Sequence, residues 1–354
     1  MLKDLTVIEL ASVLAGPDVG MFFAELGARV IKVENKLSGG DITRTWKHQS
    51  ESKDCQVSAY FSSVNWNKEY IFANLSNESE QKKIQKLIQK ADIVITNFKK
   101  GDDKKFRMEY KSLKKLNSKI IYGSITGFGS KSERTAFDVV LQAETGYMSM
   151  NGTKESGPVK MPVALIDVLA AHQLKQGILL ALLKREQTKK GCFVEVSLFD
   201  AAVSALKNQA GNWLMNKVIP ETIGSLHPNI APYGETFQTK DKKMIVLAIG
   251  SDKQFESMLE ILGINTLKSS KQFATNQLRV INRNELQQLL IPYFKKFTRK
   301  EIMNKFLANK IPAGAIKNLK EVFEEKEAKA LILEEKIEGI KTKRVKTAVF
   351  KISE

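Results

Sequence analysis

Apolar and polar positions alternate in two periods along this chain. Leu5 to Ala11 reads as a strand within an alternating N-terminal stretch, and Leu14-Ala-Gly-Pro17 turns the chain into a helix that runs through Leu26. Pro17 suits the start of that helix, where its missing N–H costs nothing. Gly27 stops the helix, and Ala28-Arg-Val-Ile-Lys-Val-Glu34 forms a second strand. The rhythm repeats with a helix over 78–90, a strand over 91–96, a helical turn over 113–116 and a strand over 119–125. Strands alternating with helices predict an α/β fold with a Rossmann-like parallel sheet covered on both faces. Glu34 ends the second strand where dinucleotide folds keep an acid for ribose. Gly16 and Gly20 do not complete GxGxxG, so a nicotinamide site is not expected.

Farther along the pattern changes. Cys192 to Leu198 is a strand, followed by a helix from Phe199 to about Asn216. A hairpin is predicted over 235–239 and 243–249, then helices over 253–262, 283–297 and 299–308. The large Rossmann-like domain is therefore expected over 1–215 and 325–354, and a smaller α+β domain over 234–318. Residues 216–233 and 319–324 read as linkers. Segment 322–327 is expected helical, the Lys/Glu-rich stretch 321–343 is a solvated surface, and 345–352 is extended and returns to the first domain.

A 354-residue chain with 43% hydrophobic residues supports about two domains. No uninterrupted apolar run approaches the ~20 residues of a membrane span, and the first ten residues lack a signal-peptide core. Cys55 and Cys192 have no metal or redox spacing, so a reducing cytoplasm is expected. His48, His172 and His227 are scattered without an HxxxH or HExxH pattern, and no metal site is expected. The net charge of +17 invites a nucleic-acid partner, but only nine of the 56 basic residues are arginine and they spread along the chain. An acidic small ligand carrying phosphates uses the same field, and neither nucleic acid nor membrane is the expected partner.

The chemistry concentrates in Met161-Pro-Val-Ala-Leu-Ile-Asp167, which ends in a lone carboxylate ahead of a long apolar-rich run. Two readings stand for Asp167. It is a helix N-cap, its oxygen accepting from first-turn amides. Alternatively it is a nucleophilic carboxylate at a strand-to-helix turn, kept ionised by the amides that cap it.

An ordered series of short motifs resembles the class III CoA-transferases, the group of formyl-CoA transferase, carnitine CoA-transferase and α-methylacyl-CoA racemase. It includes Leu14-Ala-Gly-Pro17, Gly39-Gly-Asp41, Asn65-Trp-Asn-Lys68, Thr126-Gly-Phe-Gly129, Gln142-Ala-Glu-Thr-Gly146, His227 to Tyr233 and Ile311-Pro-Ala-Gly314. The resemblance implies that Asp167 is the nucleophile and that coenzyme A enters as acyl-CoA substrate, with no permanently bound cofactor. It implies attack on a donor thioester, a mixed anhydride, an aspartyl-CoA thioester, and release of CoA to a second carboxylic acid. A carboxylate suits this because it is ionised at neutral pH without a helper base. Gly250, after the hairpin, is the candidate oxyanion donor.

The same resemblance places Leu14 and Ala15 along the pantetheine and the reacting end. Leu14 stands where formyl-CoA transferase has a glutamine. Ala73, Asn74, Leu75 and Ser76 are expected to pass the adenosine end by backbone contact. Asn97, Phe98 and Lys99 match a CoA-contacting turn, although Phe98 reads equally well as a core aromatic. Two phosphate-binding arginines of the family correspond to Asn35 and Lys105, with Lys36 expected to compensate for Asn35. Thr135, Ala136, Phe137 and Asp138 complete the expected CoA-binding set. Phe137 occupies the racemases' histidine position and offers no proton to the α-carbon, which disfavours racemase activity. Asp138 and Glu144 read as hydrogen-bonded structural acids. Leu14 beside Phe137 favours a less polar acyl group than oxalate or formate. A CoA-binding protein without turnover is the competing class, and the retained Asp167 argues against it. The resemblance also implies a ring-shaped chain in an interlocked homodimer and an abbreviated C-terminal segment.

Overall fold

The computed structural model describes residues 2–353; Met1 and Glu354, which the large-domain expectation includes, lie outside the described residues. The chain divides into two compact units. The first comprises Met1–Tyr147, Lys160–Met215 and Glu327–Glu354, and the second Met148–Val159 and Asn216–Lys326.

The first unit is built from β1 (Thr6–Leu10), α1 (Ala15–Glu25), β2 (Arg29–Asn35), β3 (Lys68–Ala73), α2 (Glu78–Ile88), β4 (Ile93–Thr96), β5 (Ile121–Thr126), α3 (Asp138–Glu144), α4 (Leu165–Thr188), β6 (Phe193–Ser197) and α5 (Leu198–Ser204). Six parallel strands lie in the order β3-β2-β1-β4-β5-β6, with Val7 opposite Val30 on one side and Ile93 on the other. This order reverses direction between β1 and β4, and open α/β sheets bind ligands at the carboxyl ends of the strands flanking such a point. The alternation read from the sequence therefore yields a mixed α/β chain carrying a Rossmann-like sheet.

Both faces are covered. Helices α1 and α4 pack Val19, Phe23, Ile166, Leu174 and Ile178 onto Val7, Ile93 and Ile121. Opposite, Ile84 and Ile88 of α2 meet Ile8, Ile31 and Val94. Each such side chain contributes about 1.5–3 kcal/mol when fully buried. Gly177 lets α4 approach the sheet, since a Cβ there would sit 2.6 Å from Val194. By length and composition α4 also meets the requirement for a membrane span. The run-length reading missed it because His172, Gln173, Lys175 and Gln176 interrupt the apolar sequence. Its inward stripe of Ile166, Ala170, Leu174, Ile178 and Ala181 packs in the core, while Leu179, Leu180 and Leu183 stay exposed.

Several boundaries differ from the expectation. Helix α1 starts at Ala15, so Pro17 is its third residue, still among the amides that lack a helical partner. The helix expected over 199–216 breaks after α5, and a separate helix spans Lys207–Asn216. β3 was not foreseen. Residues 332–345 form an unforeseen two-stranded hairpin that buries Ile337, Thr342 and Arg344, while the rest of 321–343 stays at the solvated surface as expected. Beyond Val345 no strand continues; the amides of Thr347 and Ala348 donate to the Glu25 carboxylate instead.

The second unit contains β7 (Tyr233–Gln238), β8 (Met244–Ala248), α6 (Asp252–Leu262), α7 (Arg283–Phe294), α8 (Arg299–Ala308) and β9 (Ala313–Ala315). Its antiparallel sheet has the order β9-β8-β7. The core stacks Phe237 on Phe294, ring centroids 4.2 Å apart, among Ile245, Leu259, Leu290 and Phe306. Residues 148–159, expected in the large domain, belong here, because Gly224 N–H donates to Gly152 O at 2.7 Å. Nor is 216–233 a free linker. His227 N–H donates to Tyr233 O, and Arg283 holds Glu235 and the His227 carbonyl. Residues 319–323 form a capped helical turn of this unit, not a linker.

Candidate active site

The loops leaving β1 and β4 meet at the reversal point of the sheet. Asn97 ties them together: its Oδ1 accepts from Ser12 N–H at 3.0 Å and its Nδ2 donates to Ser12 O at 2.8 Å. Leu14 and Ala15 follow at the first turn of α1. Asn35 and Lys36 leave β2, and Ala73 to Ser76 leave β3. Thr135 to Asp138 lie beyond β5. The expected CoA-binding residues thus follow the carboxyl ends of the strands of one sheet, although they come from six separate stretches of sequence.

Their individual settings differ. The Asn35 side chain caps the turn Lys36–Ser38 through Leu37 N–H and stays exposed. Lys36, Lys99 and Lys105 are exposed, with Lys105 Nζ over the Phe106 ring. Ala73 is buried, and Asn74 Oδ1 receives Ser76 N–H. Phe98 packs against Phe106 in a tilted arrangement, ring centroids 5.8 Å apart, on the core beside the sheet, so its core role is real. Phe137, the N-cap of α3, is about half exposed. A Cβ on Gly127 would strike Ala136 at 2.3 Å, so glycine lets the two loops after β5 close on each other.

Asp167 is neither the N-cap of α4 nor ionised by capping amides. Ala164 is the cap and Asp167 the third helical residue. Asp138 reaches across from the start of α3 and takes those amides: its Oδ1 accepts from Ile166 N–H at 2.7 Å and Asp167 N–H at 3.4 Å. Gln142, one turn along α3, steadies Asp138 by donating to Oδ2 at 2.6 Å, and its own oxygen accepts from Met161 N–H at 2.7 Å. Among the described residues no donor sits on the Asp167 carboxylate. Burial first, and the neighbouring Asp138 charge second, push its pKa up to about 7. The helix dipole favours the anion by only about 0.3–1 kcal/mol, too little to reverse this. Asp138 is accordingly hydrogen-bonded, as expected, and Glu144 is paired with Arg134.

Gly250 is different. It lies in the second unit, and its N–H already donates to Gln254 Oε1 at 2.9 Å, so the amide is not free to receive an oxyanion. One group near Asp167, Tyr60, was missed. Tyr60 lies in the helical turn Ala59–Ser63, its ring edge-on to Trp46 at 5.1 Å. Burial, then the charges of Asp167, Asp138 and Asp41, hold its hydroxyl protonated, with a pKa pushed up to about 12. Asp41 itself is buried and paired with Lys32. The signal was present in the sequence: Glu9, Lys32 and Glu34 interrupt strands that otherwise read as apolar. Among the described residues no three His, Cys, Asp or Glu side chains come together as metal ligands.

A buried, unpaired carboxyl held near neutrality suits nucleophilic attack on an acyl carbonyl. The sequence profile of CoA-transferase family III matches residues 2–354. The chain belongs to that family. It is similar to the succinate–glutarate CoA-transferase of Agrobacterium fabrum, 35% identical over 93% of this chain and 83% of that one. The human succinyl-CoA:glutarate CoA-transferase is 33% identical over 92% of this chain and 73% of its own length. Among solved structures, a CAIB/BAIF family protein from Brucella suis superposes with a TM-score of 0.84, at 36% identity, covering 98% of this chain and 91% of that one. The enzyme is thus a transferase of CoA between acyl-CoA and carboxylic acid substrates.

Proposed function

We propose that this CoA-transferase moves CoA from succinyl-CoA to a second aliphatic dicarboxylic acid such as glutarate, with Asp167 as the covalent nucleophile. The Asp167 carboxylate attacks the donor thioester carbonyl and expels CoA thiolate, leaving a mixed anhydride. The thiolate attacks the aspartyl carbonyl of that anhydride, releasing succinate and forming an aspartyl-CoA thioester. The acceptor carboxylate attacks that thioester and again expels thiolate. Thiolate then attacks the acceptor's carbonyl, the new acyl-CoA leaves, and Asp167 is free. Each step trades one activated acyl link for another, so no external energy source enters.

The observation that carries this reading is Asp167 itself: buried, without a cation, and raised to about 7 by burial and Asp138. Leu14, Ala15, Asn97 to Lys99 and Phe137 line the acyl-CoA along the carboxyl ends of the strands in this reading. Leu14 and Phe137 favour methylene chains over oxalate, and the activities named for the two relatives above fit a four- or five-carbon diacid. Asn35 and Lys105 weaken the grip on the nucleotide phosphates, and exposed Lys36 supplies charge nearby.

Intact-mass measurement after incubation with succinyl-CoA tests the chemistry. The expected result is a hydroxylamine- or borohydride-trapped modification at Asp167, absent in Asp167→Ala, and glutarate-dependent turnover above that with oxalate. No adduct with any thioester despite CoA binding sinks the covalent reading, and equal or better turnover with oxalate sinks the substrate assignment. The working form in this reading is a cytoplasmic, interlocked homodimer. The free thiols of Cys55 and Cys192 and the exposed Leu180, Leu183, Leu214 and Met215 support it. Light scattering at twice the 39.8 kDa chain mass is expected; a monomer overturns it.

A further inference from the structure

Val13 has φ +72°, and it is the one β-branched residue in the left-handed region among the described residues. That conformation is disfavoured for any side chain branched at Cβ, so something must hold it. Asp41 does. Both its oxygens accept from Val13 N–H, at 3.3 and 3.2 Å. Asp41 is 5% exposed, and Lys32, fully buried, pairs with it at 3.0 Å. The same Lys32 Nζ donates to Glu9 at 2.9 Å and to Ala11 O at 2.8 Å. Ser12 is fixed from the other side by Asn97. A buried ion pair between Lys32 of β2 and Asp41 in the loop after it therefore grips a strained peptide immediately before Leu14 and Ala15.

We propose that Asp41 is a positioning residue for the transfer reaction, clamping Val13 in its left-handed conformation so that the Ser12–Ala15 turn presents the thioester to Asp167. This rests on the reading of Leu14 and Ala15 as acyl-CoA contacts. Without the clamp, Val13 relaxes to an ordinary φ and the turn swings away. The nucleotide end of CoA keeps its contacts, so the loss falls on turnover more than on binding.

The test compares Asp41→Leu, which removes both acceptor oxygens from Val13 N–H, the double variant Asp41→Leu/Val13→Gly, and wild type. Glycine adopts positive φ freely and substitutes for the clamp. Asp41→Leu is expected to lower kcat about tenfold or more while KM for the acyl-CoA changes less than about threefold, and the glycine is expected to recover most of that loss. A double variant as slow as Asp41→Leu overturns the proposal, as does a loss confined to KM. Should Asp41→Leu fail to fold, Val13→Gly and Val13→Pro on the native chain replace it. Proline, fixed at negative φ and lacking the N–H, is expected to be at least about tenfold slower than glycine, and equal rates overturn the clamp. Hydrogen exchange at the Val13 amide, read without substrate, separates the clamp from the chemistry. Exchange about tenfold faster in Asp41→Leu supports the clamp, and unchanged protection overturns it. A wild-type enzyme that moves no CoA sinks the transferase reading alone, since the exchange result still judges the clamp.

Discussion

Two buried carboxyls lie along the same pair of helices and have opposite surroundings. Asp18 of α1 meets Lys175 of α4 at 2.6 Å, both nearly sealed from solvent. Asp167, two turns earlier on α4, faces the carboxylate of Asp138 and has no cation paired with it among the described residues. The first arrangement offsets the cost of burying a charge with a partner. The second leaves that cost in place. The ion pair holds α1 and α4 together, while the poorly solvated carboxyl is the one proposed above to attack a thioester.

Breaking each arrangement should move stability in opposite directions. Lys175→Met strands Asp18 in the interior and is expected to destabilise the first unit by about 3–5 kcal/mol in denaturant unfolding. Asp167→Asn should do the reverse. Its folded pKa lies above the ordinary carboxyl value, so the folded state holds its proton longer than the unfolded chain. The stability this confers is complete below about pH 4 and lost as pH rises through 7. Above pH 7 the asparagine variant is expected to exceed wild type by on the order of 2 kcal/mol, with the gap closing toward pH 4. A destabilised Asp167→Asn at pH 8 would mean that the carboxylate is better solvated than its burial implies.

The contrast also marks what the sequence carried. Strand and helix periods were legible because the core is made of them: Val7, Ile93 and Ile95 on strands, Leu174 and Ile178 on α4. β3 was missed because Lys68 and Glu69 open it, and Lys68 points its ammonium inward to Glu9 and Pro17 O. The hairpin over 332–345 hid for a similar reason, since Lys and Glu fill its outward positions and few apolar groups point in. Asp167 was singled out by its place after the Met161–Ile166 segment, and its nucleophile role came from the family resemblance, but its surroundings differ from those expected. The amides expected to keep it ionised are taken by Asp138, 28 positions upstream of Ile166, and such a pairing leaves no local pattern. The clamp of Asp41 on Val13 is equally nonlocal. Charged residues inside apolar strands were the available signal, and they point to the site's support rather than to its nucleophile.

The finest test of the comparison removes the repulsion without touching Asp167, the proposed nucleophile. In Asp138→Asn the side-chain oxygen still accepts from Ile166 N–H, so the start of α4 keeps its cap, while the charge beside Asp167 is gone. Burial is the larger cause of the raised pKa and persists, so the midpoint falls without returning to 3.8. Attack requires the ionised form, which places the acidic limb of the wild-type rate profile near pH 7. The variant's limb is expected about one pH unit lower, read from the pH dependence of first-turnover CoA release. Its rate on the alkaline plateau should also fall, because a less basic carboxylate is a weaker nucleophile. An unmoved limb would show that Asp138 acts on the helix start alone, and that burial by itself sets the reactivity of Asp167.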